Sequence, residues 1–147
     1  MTYLGVDTSN YRTSLAFYDA QTHSARLSSR LLPVAPGMLG LRQSDALFAH
    51  TKALPELTRA LWEEPPAAVA AVGVSARPRS AEGSYMPCFL AGVAAAQSAA
   101  CALGVPLYEF SHQQGHLAAA AYGADATELL RAPFLAWHLS GGTTELL

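Results

Sequence analysis

Residues 4–17 read LGVDTSNYRTSLAF, two short apolar stretches separated by a turn of Asp, Thr, Ser and Asn. Apolar stretches bounded by such turn residues are typical of the strands of a hairpin. The stretch FLAWHLSGGTTELL, from Phe134 to Leu147, repeats the same plan around SGGT. The sequence therefore predicts two related hairpins. Their small, hydroxyl-bearing turns either let backbone N–H groups approach an anion closely or are ordinary hairpin turns.

The chain between the two hairpins predicts strands that alternate with helices. A third strand at 25–32 completes an antiparallel meander with strands at 3–7 and 13–18, and a loop follows over 33–40. The further predicted elements are a helix at 44–64 capped by Ser44 and kinked or split at Pro55, a strand at 68–74, a loop at 75–84, a helix at 87–103 ended by Gly104, a strand at 105–110, and a helix at 112–122 ended by Gly123. This order predicts a mixed α/β sheet.

Length and composition exclude several classes of protein. The chain has 147 residues, 51% of them hydrophobic, 14% charged, and a formal net charge of −2, which suits one folded domain and excludes a disordered or collagen-like chain. With one Lys, Lys52, and eight Arg against 11 Asp and Glu, the chain as a whole is not a basic nucleic-acid binder, and a small Arg patch is left open as an alternative. The Ala-rich stretch 89–105 is interrupted by polar residues and Gly, so no membrane span is expected.

The two cysteines, Cys88 and Cys101, do not form a CxxC pair, and residues 1–9 lack the basic start and apolar run of a signal peptide. We therefore expect reduced thiols and a cytoplasmic protein.

Two histidines provide the first candidate for chemistry. His112 and His116 lie four residues apart at the start of a predicted helix, a spacing that places both imidazoles on one face where they can bind one metal ion. The zinc-protease pattern requires a Glu after the first His, and Gln113 occupies that place. Surface or capping histidines are the alternative. Catalytic zinc sites usually have three protein ligands, so a third must come from elsewhere.

Other polar residues are weaker candidates. His138 precedes the SGGT turn, and Arg77 and Arg79 lie in a segment that could bind a phosphate or carboxylate. Asp7 and Glu82 are candidates for acid–base or metal–water roles, but no spacing in the sequence pairs them.

Four segments occur together and in order: LGVDTS near the start, GSYMPCFLAG entering a helix, PLYEFSHQQGHLAAA, and FLAWHLSGGTTELL. This order resembles the N-terminal part of the tRNA threonylcarbamoyladenosine synthesis family, historically called glycoprotease or O-sialoglycoprotein endopeptidase. The resemblance covers nearly the whole chain, and the combination of HxxGH with SGGxT is specific. It implies an actin-like, sugar-kinase-like lobe of the ribonuclease H-like class with a mixed sheet.

The resemblance also implies a set of site residues. His112 and His116 correspond to the family histidines that bind iron or zinc. The nucleotide- or substrate-binding residues would be those of the two turns: Asp7, Thr8, Ser9, Ser140, Gly141, Gly142 and Thr143. The implied cofactors are Fe or Zn and ATP or an acyl-adenylate. The implied reaction transfers threonylcarbamoyl from its adenylate to the adenosine beside the tRNA anticodon, so tRNA would be the partner of the complete protein.

The sequence departs from the family pattern in three ways. Asn10, Tyr11 and Arg12 replace a Cys and paired Asp, Thr143 replaces a His, and RPRSAEGSYM replaces a shorter Gly-rich loop. These differences predict a divergent branch. In the family, the third metal ligand and the adenosine loop belong to a second half, which we expect to be missing from this chain. We therefore expect a first lobe at residues 1–132 and only the first hairpin of a second lobe at 133–147, inactive by itself.

Two alternatives remain at the level of sequence. One is a non-catalytic partner subunit, since the family includes a degenerate paralogue that binds the catalytic subunit. The other is a glycoprotein metalloendopeptidase, which Gln113 disfavours. In either case a lobe without its second half should expose apolar surface, so we expect a homodimer or association with a paralogous subunit.

Overall fold

A computed structural model describes residues 1–34, 37, 40–139 and 144–147. The chain forms two compact units, unit 1 at Met1–His112 and unit 2 at Gln113–Leu147. The boundary near residue 132 that was expected from the family resemblance stays a prediction.

Unit 1 is built on a five-stranded mixed sheet of order β3-β2-β1-β4-β5. Its strands are β1 (Thr2–Asp7), β2 (Arg12–Asp19), β3 (Ser24–Leu31), β4 (Val69–Arg77) and β5 (Leu107–Ser111). The first three strands form the predicted antiparallel meander, whereas β4 runs parallel to β1 and β5 parallel to β4. The carboxyl ends of β1, β4 and β5 therefore lie at the same edge of the sheet.

Two helices cover the sheet of unit 1, α1 (Gln43–Leu61) and α2 (Phe89–Leu103). Alternate strand residues point toward them, and apolar helix residues fill the space between. The buried core that results comprises Leu4, Val6, Leu15, Phe17, Ala53, Leu54, Leu57, Leu61, Val72, Val74, Ala91, Ala96 and Ala100. As predicted, α2 ends at Gly104, whose φ of 65° lies in the left-handed region that Gly adopts without strain.

Two details of the predicted elements are wrong, and of the two outcomes predicted for Pro55 the split is excluded. Arg42, not Ser44, occupies the N-cap of α1, and no side chain caps this helix end. Pro55 does not split α1, because buried residues on both sides of it, such as His50 and Leu57, keep the helix against the sheet. The loop predicted from Ser75 begins later, because β4 continues to Arg77 by pairing with β5.

Unit 2 contains most of α3 (His112–Gly123), a short 3₁₀ helix at Thr127–Arg131, and the strands β6 (Trp137–Leu139) and β7 (Thr144–Leu146). The two strands pair in antiparallel fashion, and reciprocal backbone bonds between Ala136 and Leu147 extend the ladder. This is the second hairpin that the repeat predicts. Among the described residues, no helix combines the length and apolar character needed to cross a membrane.

Candidate functional site

The carboxyl edge of the unit 1 sheet gathers polar residues from three parallel strands. Asp7 ends β1, Ser75 lies near the end of β4, and Ser111 ends β5 immediately before His112. In open α/β sheets, ligands bind outside the carboxyl ends of the strands. This edge is therefore the candidate site of unit 1.

An Asp–His pair lies at the centre of this edge. Oδ2 of Asp7 is 2.9 Å from Nδ1 of His112, although 105 residues separate the two in sequence. The other carboxylate oxygen, Oδ1, accepts a hydrogen bond of 2.8 Å from the backbone N–H of Ser9. Both side chains of the pair remain accessible, with 27% of Asp7 and 33% of His112 exposed. The structure thus pairs two residues that no spacing in the sequence connects.

The carboxyl of Asp7 is ionised at neutral pH. Burial by itself raises the pKa of this group, but hydrogen bonds from His112, Ser75 and Ser9 favour the carboxylate, and the charge of His112 acts in the same direction. Together they hold the pKa of Asp7 well below its usual range. The edge therefore carries a fixed negative charge next to an imidazole.

Thr8 has structural partners inside unit 1. Its side chain is fully buried, and Oγ1 donates to the carbonyl of Cys88 at 3.0 Å and accepts from the backbone N–H of Gly92 at 3.0 Å. A Cβ at position 92 would lie 2.6 Å from that oxygen, so the close approach of α2 to the first hairpin requires Gly92. Thr8 thus joins the first turn to the start of α2, and its role toward a nucleotide stays a prediction.

The two candidate metal ligands occupy one helix, as the sequence predicts: His112 begins α3 and His116 follows one turn later. In unit 2, the ring of His116 lies 5.7 Å from that of His138. Gln113, at the place of the protease general base, donates to Oε2 of Glu145 at 2.7 Å. No three residues of the His, Cys, Asp and Glu types converge as a metal-binding group within the described ranges.

Ser140, Gly141, Gly142 and Thr143 lie outside the described residues, so their role in nucleotide binding stays a prediction. The strands on either side of them, β6 and β7, form the hairpin described above. Of the other weak candidates, Arg77 ends β4, and the backbone N–H of Arg79 donates to the Ser84 hydroxyl at 2.9 Å.

A buried histidine that no sequence pattern indicated, His50, lies close to the site. Nδ1 of His50 is 2.8 Å from Oγ1 of Thr13, and Nε2 is buried without a hydrogen-bond partner in the described part of the chain. Burial lowers the pKa of His50, while the charge of Asp7 and the nearby backbone of Asn10 act in the opposite direction. A single histidine within an amphipathic helix carries no spacing signal, and only its burial makes it notable.

Cys88, also buried, is not a candidate nucleophile. Burial raises the pKa of its thiol, which therefore stays protonated and unreactive.

The strand order and the position of the site define the class of protein, an actin-like fold of the ribonuclease H-like type. Two solved structures from Pseudomonas aeruginosa share this fold. YeaZ superimposes with a TM-score of 0.59 at 23% identity, covering 86% of this chain and 50% of that chain. An uncharacterized protein with similarity to peptidase YEAZ gives 0.57 at 20% identity, covering 99% and 63%. At such identities the likeness shows the fold alone, and it confirms the fold class predicted from the sequence.

The family is shown by sequence. The model of the family TsaD, tRNA N6-adenosine threonylcarbamoyltransferase, matches residues 40–147. A curated tRNA N6-adenosine threonylcarbamoyltransferase from a Sulfurihydrogenibium species is 31% identical over 150 aligned residues, covering 100% of this chain and 42% of that protein. The chain belongs to the tRNA N6-adenosine threonylcarbamoyltransferase family, as its motifs indicate, and it spans less than half the length of this relative.

Proposed function

We propose that this chain forms the N-terminal part of a metal- and nucleotide-dependent transferase. The reaction would move a threonylcarbamoyl group from its adenylate to an adenosine of tRNA. The observation that carries the proposal is the Asp7–His112 pair at the carboxyl edge of the sheet, in a chain of this family. The pair supplies an oriented imidazole at the edge where α/β folds of this kind bind ligands.

The donor set fits iron or zinc. His112 and His116 would hold the ion, since imidazole nitrogen is a suitable ligand for both metals. The contact between Nδ1 of His112 and a carboxylate supports this assignment, because metal-binding histidines usually engage their second ring nitrogen in this way. When bound, the ion would act as a Lewis acid that polarises a carbonyl or phosphoryl oxygen.

The charge of Asp7 limits what the first hairpin can bind. An ionised carboxylate repels a bare phosphate, and the Ser9 amide that could otherwise attract one is already bonded to Asp7. A cation between the Asp7 carboxylate and the phosphate removes that repulsion. The hairpin therefore suits an anionic group that arrives with a metal ion, such as the phosphate of ATP or of an acyl-adenylate, better than a free anion.

The test is metal content and transfer activity in the full-length protein. We expect about one Fe or Zn per chain and transfer of threonylcarbamoyl to tRNA, and we expect His112→Ala and His116→Ala to lose most of both. His23→Asn is the matched control, because His23 is an exposed turn histidine whose φ of 51° Asn tolerates. Equal metal in the wild type and in the double alanine variant would refute the proposed site.

We further propose that a second copy or a paralogous subunit covers the outer face of α2. Leu90 and Leu103 are exposed on this helix, and the exposed positions between them are Ala94, Gln97, Ser98, Cys101 and Ala102, all small except Gln97. Small residues on an exposed helix face allow another helix to approach closely.

A subunit that binds metal but transfers nothing to tRNA by itself would support the non-catalytic partner role instead.

A further inference from the structure

The contact between Asp7 and His112 constrains the imidazole more than a surface ion pair would. The carboxylate is held in place from within unit 1, because Oδ1 accepts from the Ser9 amide and the Ser75 hydroxyl also bonds to it. The ring of Phe89 lies 6.3 Å from that of His112, tilted by 59°. A fixed carboxylate on one side and an aromatic ring on another limit the orientations open to His112.

The chemistry of the contact determines the tautomer. A carboxylate accepts hydrogen bonds and has none to donate, so at 2.9 Å the proton of a neutral His112 must lie on Nδ1. The lone pair of that tautomer is on Nε2. An imidazole with Nδ1 protonated toward a carboxylate is arranged to coordinate a cation through Nε2.

We infer that Asp7 is a positioning residue, which holds His112 as the Nδ1–H tautomer and directs Nε2 toward a bound Fe²⁺ or Zn²⁺. The inference deepens the proposed function and rests on its metal site. It also gives the first hairpin a role besides phosphate binding, since the residue that ends β1 acts on the metal through a histidine of α3.

The first measurement does not require metal. In full-length protein labelled with ¹⁵N-histidine, long-range ¹H–¹⁵N correlation at a pH where the imidazole is neutral distinguishes the two tautomers. We expect the wild type to show His112 with its proton on Nδ1, and Asp7→Asn to show a mixture, since an amide can donate as well as accept. A wild-type His112 protonated on Nε2 would overturn the inference whether or not metal binds.

The second measurement is metal affinity, with Co²⁺ followed by its visible absorption and Zn²⁺ by competition. We expect Asp7→Asn to weaken binding 10- to 100-fold, the usual effect of removing such a partner. Ser75→Ala loosens the carboxylate without touching His112, and we expect a smaller loss from it. Asp19→Asn is the matched control, because Asp19 makes the same kind of turn at the end of β2, accepting from the amides of Gln21 and Thr22.

The outcomes separate the inference from the proposed function. If the wild type binds Co²⁺ and the folded Asp7→Asn variant binds it equally tightly, the positioning role is wrong while the metal site stands. If the wild type binds no metal, both are wrong. Thermal unfolding of each variant shows whether it is folded. If Asp7→Asn does not fold, the metal affinity of Ser75→Ala provides the test instead.

Discussion

Replacing Gly92 by Ala tests the contact between the first hairpin and α2. The new Cβ would lie 2.6 Å from Oγ1 and 3.2 Å from Cγ2 of Thr8, whose side chain is fully buried and cannot move into solvent. Either α2 shifts away from the hairpin or Thr8 gives up its hydrogen bond to the Gly92 amide. In an ordinary helix position the same substitution would stabilise the protein, so the sign of the effect is informative.

The magnitude follows from three contributions. Overpacking of a buried contact costs about 1–3 kcal/mol, and weakening the hydrogen bond from Gly92 to Thr8 costs about 1 kcal/mol. Ala in a helix interior stabilises the protein by about 1 kcal/mol relative to Gly. We therefore expect Gly92→Ala to lower the free energy of unfolding by about 1–3 kcal/mol, with a fall in Tm of roughly 6 °C at the middle of that range.

The assay is urea and thermal unfolding followed by circular dichroism. Gly123→Ala is the control, because a Cβ at that helical position meets nothing within 4 Å and should leave stability unchanged or slightly higher. In Thr8→Ala/Gly92→Ala the clash is removed, so we expect the second substitution to cost less in that background than in the wild type. A Gly92→Ala variant as stable as Gly123→Ala would refute the packing argument.

Three further predictions concern pH, association and the second turn. Because burial lowers the pKa of His50 in the folded state, the unfolded chain binds more protons below about pH 6.5, and stability should fall as the pH drops through that value. Urea unfolding between pH 8 and 5 should show that the free energy of unfolding depends less steeply on pH in His50→Gln than in wild type. Equal dependence in the two proteins would contradict this. If α2 is a subunit interface, light scattering should show a dimer or larger species. Mild oxidation should cross-link that species through the exposed Cys101, and Cys101→Ser should not cross-link. A monomer at high concentration would exclude the interface. In the SGGT turn of the full-length protein, Gly141→Val should abolish binding of ATP or an adenylate analogue, measured by calorimetry, while the free energy of unfolding stays within about 2 kcal/mol of wild type. Unchanged binding would mean that the turn is only a hairpin.

Local sequence was enough to predict most of the elements. The apolar stretches LGVD and TSLAF, bounded by turn residues, predict β1 and β2, because strand composition and turn residues act within a few positions. Gly104 predicts the end of α2 for a similarly local reason, since the helix ends in a left-handed residue that favours Gly. The same motifs, read in order, identified the family and the actin-like fold class.

Long-range packing decided the rest. The extent of β4 depends on its pairing with β5, and the continuity of α1 through Pro55 depends on burial against the sheet, so neither could be taken from local propensity. The spacing of His112 and His116 on α3 was predictable because four residues make one helical turn. The contact of His112 with Asp7 was not, because it depends on parallel strands distant in sequence ending at one edge of a sheet, and only the folded chain brings those ends together.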